Sequence, residues 1–136
     1  MIVVDTSALV AIVFREAERA EFLEAIAKAG TALLSSVSVV EARMVVHGRR
    51  GQPGVVMLDD LIRLPSFVIA APAAEEANAA YAAFVTYGKG SGHPAQLNLG
   101  DLFSYALAKV RGLPLLFKGG DFIQTDIIPA LGARSR

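Results

Sequence analysis

Four acidic side chains sit where apolar neighbours make an ionised carboxylate costly. Asp5 follows Ile2-Val3-Val4, and Glu41 follows Val37-Ser38-Val39-Val40. Asp101 opens Leu102-Phe103-Ser104-Tyr105-Ala106-Leu107, and Asp121 comes shortly after Leu113-Pro114-Leu115-Leu116-Phe117. The chain is 54% apolar and holds only 13 acids among 136 residues, so these four look placed rather than scattered. A carboxylate against an apolar wall either takes a proton or finds a cation. If all four meet in space, no set of Lys or Arg here neutralises them, and a divalent metal does. Three or four carboxylates without histidine suit Mg²⁺ or Mn²⁺, hard cations with oxygen ligands, better than zinc. Two such ions about 4 Å apart can activate water and stabilise the leaving oxygen in phosphodiester cleavage.

Each acid also has a private explanation. Asp101 follows Gly100 and precedes an apolar helix, where Asp is a preferred cap. A capping role explains Asp5 less well, because Thr6 and Ser7 already offer hydroxyls for it. Glu41 lies within an apolar helix and could pair with Arg43 or Arg63. Four separate explanations are less economical than one shared site. The remaining acids Glu16, Glu18, Glu21, Glu24, Asp59, Asp60, Glu75 and Glu76 read as solvated helix faces. Asp126, five positions past Asp121, is a candidate fifth ligand or a support for one.

The elements that must position these groups alternate between strand and helix. Ile2 to Val4 is short, β-branched and apolar, as a buried strand would be. Thr6 or Ser7 caps a helix over Ala8 to Phe14, and a second helix runs from Glu16 to Ala29 and closes at Gly30. Thr31 to Ser35 is a strand. Ser35 or Ser36 caps a helix from Val37 to about Gly48. Gly51-Gln52-Pro53-Gly54 then makes a loop before a helix from Val55 to Leu64, which Pro65 stops. Phe67 to Ala71 is a third strand. Pro72 opens a helix to about Tyr87, followed by a glycine-rich loop to Leu97. A helix from Leu99 to Val110 and a strand from Leu115 to Phe117 complete the pattern, with one short edge strand at Asp126 to Ile128. This alternation predicts an α/β fold with a central parallel sheet of four to five strands, covered on both faces. Ligands of such sheets bind at the carboxyl ends of the strands, the edge at which all four acids can meet.

Composition bounds the rest. The length suits a single domain over 1–136 with one sizeable core. Lys plus Arg equals Asp plus Glu, so bulk charge gives no sign of a strongly basic nucleic-acid binder. The chain has no cysteine, which removes disulfide scaffolds, thiolate zinc sites and cysteine nucleophiles. The first residues lack the basic region of a signal peptide, and the run Ala8 to Phe14 is too short for a membrane span. A soluble cytoplasmic protein with no membrane association is expected. The mean hydropathy of +0.48 implies apolar surface reserved for a partner chain, or an alanine-rich helical core. No P-loop, GxSxG or HExxH pattern occurs. A receiver domain is excluded because Asp5 stands alone and Phe67 to Pro72 contains no acid.

The sequence resembles the PIN-domain ribonucleases, and specifically the VapC-type toxins of toxin–antitoxin pairs. Ile2-Val3-Val4-Asp5-Thr6-Ser7-Ala8-Leu9 is similar to that family's first strand and first acid, and Ser35-Ser36 with Glu41-Ala42 to its second. Tyr87-Gly88-Lys89-Gly90 through Gly92-His93-Pro94-Ala95, Leu97-Asn98, Gly100-Asp101 and Tyr105-Ala106-Leu107-Ala108 resembles the third. Phe117-Lys118-Gly119 with Asp121-Phe122 and Thr125-Asp126-Ile127 resembles the last. Gly120 departs from the family, which often has a polar residue there. The resemblance implies a three-layer α/β/α PIN-like fold and a metal-dependent endoribonuclease acting on single-stranded loops of structured RNA, of the tRNA or rRNA class. Asp5 and Asp101 would be the principal Mg²⁺ or Mn²⁺ ligands, with Glu41 and Asp121 completing the catalytic site. Water activated there would attack a phosphodiester without a covalent enzyme intermediate. Thr6 or Ser7 would hold a ligand or water, and Asn98 and Thr125 would orient the acids. RNA contacts are expected from Lys89, His93, Arg43 and Lys118, with His93 equally suited to a turn before Pro94. A cognate antitoxin and a homodimer are the implied protein partners. A catalytically silent PIN-like module that binds a partner, and a DNA-directed nuclease, are the competing functions.

Overall fold

The structure is a computed structural model that describes residues 1–132. Four strands form one parallel sheet: β1 (Ile2–Val4), β2 (Ala32–Ser35), β3 (Phe67–Ala70) and β4 (Leu115–Leu116), in the order β3-β2-β1-β4. The helices are α1 (Thr6–Val13), α2 (Arg19–Ala29), α3 (Ser36–Ile62), α4 (Ala74–Tyr87) and α5 (Leu99–Arg111). Register pairs Val3 with both Leu33 and Leu115, so β1 is interior to the sheet.

The period of two along each strand creates two cores. Ile2, Val4, Ala32, Leu34 and Leu116 face α1, α2 and α3, where they pack with Leu9, Ile12, Phe22, Val46 and Leu58. Val3, Leu33 and Leu115 face the other way, toward Ala80 and Ala83 of α4 and Leu102, Tyr105, Ala106 and Leu107 of α5. These are the expected three layers. Burial on both faces explains why β1 and β2 read as unbroken apolar runs. No helix among the described residues is long and apolar enough to cross a membrane.

The fold departs from expectation at several points. Asp5, rather than Thr6 or Ser7, caps α1. The expected loop around Gly51 is a kink within α3: Gly51 alone leaves the helical region (φ 65°, ψ −162°), and the helix resumes at once. Pro53 stands in the first turn of the resumed helix, where its missing N–H costs little. The helix expected from Glu16 begins at Arg19, because Arg15 adopts a positive φ of 54° and turns the chain. The short edge strand at 126–128 is absent. A single bridge pairs Leu115 with Pro129 instead, and proline has no N–H to extend a ladder. Glu76 is buried rather than solvated.

Candidate active site

Asp5, Glu41 and Asp101 come together at the carboxyl edge of the sheet. They line a cleft of about 350 Å³ with Thr6, Ser7 and the apolar side chains Val10 and Val45. Each acid is delivered by a different element. Asp5 ends β1, where its N–H donates to the Leu116 carbonyl at 2.9 Å and fixes it beside β4. Glu41 lies on the second turn of α3, which starts directly from β2 with Ser35 as its cap. Asp101 is in the first turn of α5 and forms a capping box with Asn98.

The three carboxylates are held differently. Asp5 is 2% exposed. Its Oδ2 accepts from the Ser7 N–H at 3.0 Å and the Ser7 hydroxyl at 2.7 Å, so Asp5 caps α1 with one oxygen. The other oxygen, Oδ1, is buried and has no hydrogen-bond partner. Asp101 accepts from the Asn98 N–H at 3.0 Å, while the Asn98 side chain accepts from the Asp101 N–H at 3.0 Å. Asn98 thus holds the Asp101 carboxylate at the start of α5. Glu41 is neutralised by neither expected arginine: Arg43 pairs with Asp59 at 2.9 Å and Arg63 with Asp60 at 3.2 Å.

Burial and mutual repulsion show in the titration of these groups. Burial pushes Glu41 above the ordinary carboxylate range, helped by the charge of Asp5 and opposed by the Thr6 hydroxyl. Asp101 is pushed up to about 7, first by burial and then by Asp5, with Glu41 and Asp121 adding to it and the Asn98 backbone opposing. These are carboxylates that lack a counter-charge.

A hydroxyl layer beneath the acids ties the three helices together. Thr6 donates to the Ser38 carbonyl at 3.1 Å, joining α1 to α3. The Ser38 and Ser104 hydroxyls meet at 3.0 Å, joining α3 to α5, and both residues are fully buried. Sequence reasoning missed both serines. The signal available was their spacing, three residues from Glu41 and from Asp101 on the same helices. Gly100 is also part of the site: a Cβ there would overlap the Glu41 carboxylate. The α5 backbone therefore approaches Glu41 more closely than any side chain permits.

The other predicted residues are distributed unevenly. Asp121 is exposed at the start of a 3-10 turn, Phe122–Gln124, and reaches the site through its charge on Asp101 rather than by lining the cleft. Thr125 does not orient an acid; its hydroxyl donates to the Phe122 carbonyl at 2.7 Å and accepts from the Ile127 N–H, which closes that turn. Asp126 is no fifth ligand. It accepts from Lys109 at 2.6 Å and from Tyr105 at 2.5 Å, which lower its carboxyl from the ordinary value. His93 serves the turn, its Nδ1 accepting from the Ala95 N–H at 3.0 Å and its ring set edge-on to Tyr87. Lys89 is exposed in the glycine-rich loop. Lys118 lines the cleft but pairs with Glu16 at 2.8 Å and Glu18 at 3.3 Å, two acids expected on a solvated face. Arg49, not foreseen, also lines it.

This donor set fits a hard divalent cation. It is all oxygen, it carries excess negative charge, and one buried carboxylate oxygen is unpartnered. Among the described residues no three acids are drawn together closely enough to enclose an ion unaided.

Comparison with known proteins places these features in a lineage. Residues 2–128 match the PIN domain family. The chain is 46% identical over 125 residues to Ribonuclease VapC30 of Mycobacterium tuberculosis, covering 92% of this chain and 95% of that protein. The fold matches the crystal structure of Mycobacterium tuberculosis VapC20, a sarcin–ricin loop cleaving toxin, with a TM-score of 0.76 at 17% identity over 94% of this chain and 97% of that one. It also matches VapBC2 from Rickettsia felis bound to a DNA fragment from its promoter, with a TM-score of 0.72 at 19% identity over 95% and 96% of the two chains.

Proposed function

The chain belongs to the PIN-domain family and to its VapC ribonucleases, and from that premise we propose that it is a Mg²⁺- or Mn²⁺-dependent endoribonuclease, the toxin of a toxin–antitoxin pair, acting on structured RNA of the tRNA or rRNA class. The observation that carries this reading is the convergence of Asp5, Glu41 and Asp101 in one cleft, where none of the three is ion-paired among the described residues. Asp5, Glu41 and Asp101 would hold the metal, and Asp121 would complete the acidic field. When bound, the metal supplies charge neutralisation and an acidified water for phosphodiester hydrolysis.

The chain's own residues prepare that step. Ser7 fixes Asp5 through two hydrogen bonds on one oxygen and leaves Oδ1 for the cleft. Asn98 fixes Asp101 through a single hydrogen bond from its backbone N–H. The Ser38–Ser104 contact joins α3 to α5, the helices that carry Glu41 and Asp101. Val10 and Val45 limit water on the apolar side. A carboxylate oxygen in the cleft would accept the proton of the attacking water as its oxygen bonds to phosphorus; the bond from phosphorus to one ribose oxygen breaks, and that oxygen takes a proton from solvent to leave as a hydroxyl. Lys118, on the cleft, and the exposed Lys89 would contact the RNA.

The protein partners follow from the same lineage. The fold also matches a toxin–antitoxin complex from Klebsiella pneumoniae, with a TM-score of 0.66 at 20% identity, and a cognate antitoxin is proposed for this chain. A homodimer is proposed because Val40, Met44, Tyr81, Phe84 and Val85 leave large apolar areas exposed. A monomeric mass in solution at micromolar concentration contradicts the dimer.

The test is incubation of a pool of tRNA and ribosomal RNA with wild type and Asp5→Ala, in Mg²⁺, Mn²⁺ or EDTA. Defined cuts that vanish with EDTA and with Asp5→Ala support the reading. Intact RNA in every lane refutes it.

A further inference from the structure

We propose that Arg49 and Lys118 form a divided phosphate-binding lip on the acidic cleft, with Arg49 free for the backbone of an RNA strand and Lys118 held in reserve by Glu16 and Glu18. The proposal rests on the ribonuclease reading and adds how a polyanion is admitted beside three acids. Both cations line the cleft that Asp5, Glu41 and Asp101 share. They come from separate elements, Arg49 from the end of the first part of α3 and Lys118 from the chain just after β4.

Arg49 is oriented but uncompensated. Its guanidinium carbon lies 5.0 Å from the centroid of the Phe14 ring, an arrangement that restricts a flexible side chain without spending its hydrogen-bond donors. Arg50 lies over the same ring at 4.9 Å. Among the described residues, neither arginine is ion-paired with a carboxylate. A planar guanidinium presented in this way matches the two oxygens of a phosphodiester.

Lys118 is in the opposite state. Its Nζ is 2.8 Å from Glu16 and 3.3 Å from Glu18. All three side chains keep between 27% and 39% of their surface exposed, so the contacts can exchange with a ligand. Its backbone N–H donates to Ser7 Oγ at 3.0 Å, and that hydroxyl donates to Asp5. The main chain of Lys118 is therefore anchored to Asp5 through Ser7, while its ammonium is held only by partly exposed ion pairs on a flexible stem. When an RNA phosphate arrives, it replaces Glu16 at the ammonium. Glu16 thereby competes with substrate and discriminates against weakly charged ligands.

The experiment uses labelled total tRNA as probe, with binding followed by anisotropy in EDTA over a range of KCl, and cleavage kinetics in Mg²⁺ beside it. Arg49→Gln and Lys118→Gln each weaken binding and raise KM by about fivefold, and each lowers the salt slope by about 0.7, the value for one single-strand phosphate contact. Lys118→Arg restores both. Glu16→Gln binds about threefold tighter than wild type, because Lys118 is released. Variants of Arg49 and Lys118 that keep wild-type affinity and salt slope, while the wild type cuts RNA, overturn the lip alone. Loss of affinity in Lys118→Gln together with a lowered Tm and no rescue by arginine also overturns it, since Lys118 is then a structural staple. A wild type that neither binds nor cuts RNA overturns the ribonuclease reading and the lip with it.

Discussion

Asp101 and Asp126 are both aspartates associated with α5, and their surroundings drive them in opposite directions. Asp126 receives a hydroxyl from Tyr105 and an ammonium from Lys109, and its carboxyl falls below its ordinary range. Asp101 receives one backbone N–H and faces Asp5, Glu41 and Asp121, and its carboxyl rises to about 7. The first arrangement fastens the C-terminal segment to α5. The second stores repulsion that folding must overcome elsewhere. Uncompensated charge at one edge of a well-packed sheet marks a site kept for a ligand, whereas compensated charge marks a joint.

The largest expected effect is on activity. Asp101→Asn or Asp5→Asn lowers cleavage by at least about 100-fold, whereas Asp126→Asn leaves it within about threefold, measured as kcat/KM on a cleaved RNA. Comparable losses at both positions would erase the distinction between the two regions. Next is the close approach of α5 to Glu41. Gly100→Ala forces the Glu41 carboxylate aside and lowers kcat by about tenfold with a smaller effect on Tm, since only a site side chain must move.

The two regions also respond to pH with opposite sign. Asp101 binds its proton more tightly in the folded state, from an ordinary 3.8 up to about 7. Between those values the folded state holds more protons than the unfolded one, so metal-free stability falls as pH rises through that window. Asp126 has a lowered folded value, so its contribution is present above its ordinary 3.8 and is lost as pH falls below it. Urea unfolding across this range checks both, and Asp101→Asn should flatten the decline between about pH 4 and 7. A smaller effect is expected beneath the site. Ser38→Ala leaves the Ser104 hydroxyl buried without its partner and costs about 1–2 kcal/mol, read as a fall in Tm of roughly 5 °C.

Much of this was legible in the sequence. The apolar period of β1 and β2, the strand–helix alternation and the position of Asp5 at the end of β1 follow from local pattern, which is why the layers agree with expectation and why Asp5, Glu41 and Asp101 share one cleft. What is not legible depends on contacts between distant residues. Asp121 and Asp126 are similar acids in one segment, and only the packing of α5 gives Tyr105 and Lys109 to one of them. Glu16 and Lys118 are separated by 102 positions. Serines at 38 and 104 look like ordinary small polar residues until the helices meet. The kink at Gly51 is indistinguishable from a loop in the sequence because glycine and proline punctuate both, and the choice rests on whether the flanking helices share one packing surface.

The most direct test of the central claim, that the acids at the sheet edge are held apart for a divalent cation, is thermal unfolding of wild type and Asp101→Asn with and without Mn²⁺. Metal-free Asp101→Asn should melt higher than metal-free wild type, because repulsion is relieved. Mn²⁺ should raise the wild-type Tm and leave the variant nearly unchanged. A wild-type Tm indifferent to Mn²⁺, with RNA still cut in EDTA, would contradict the account.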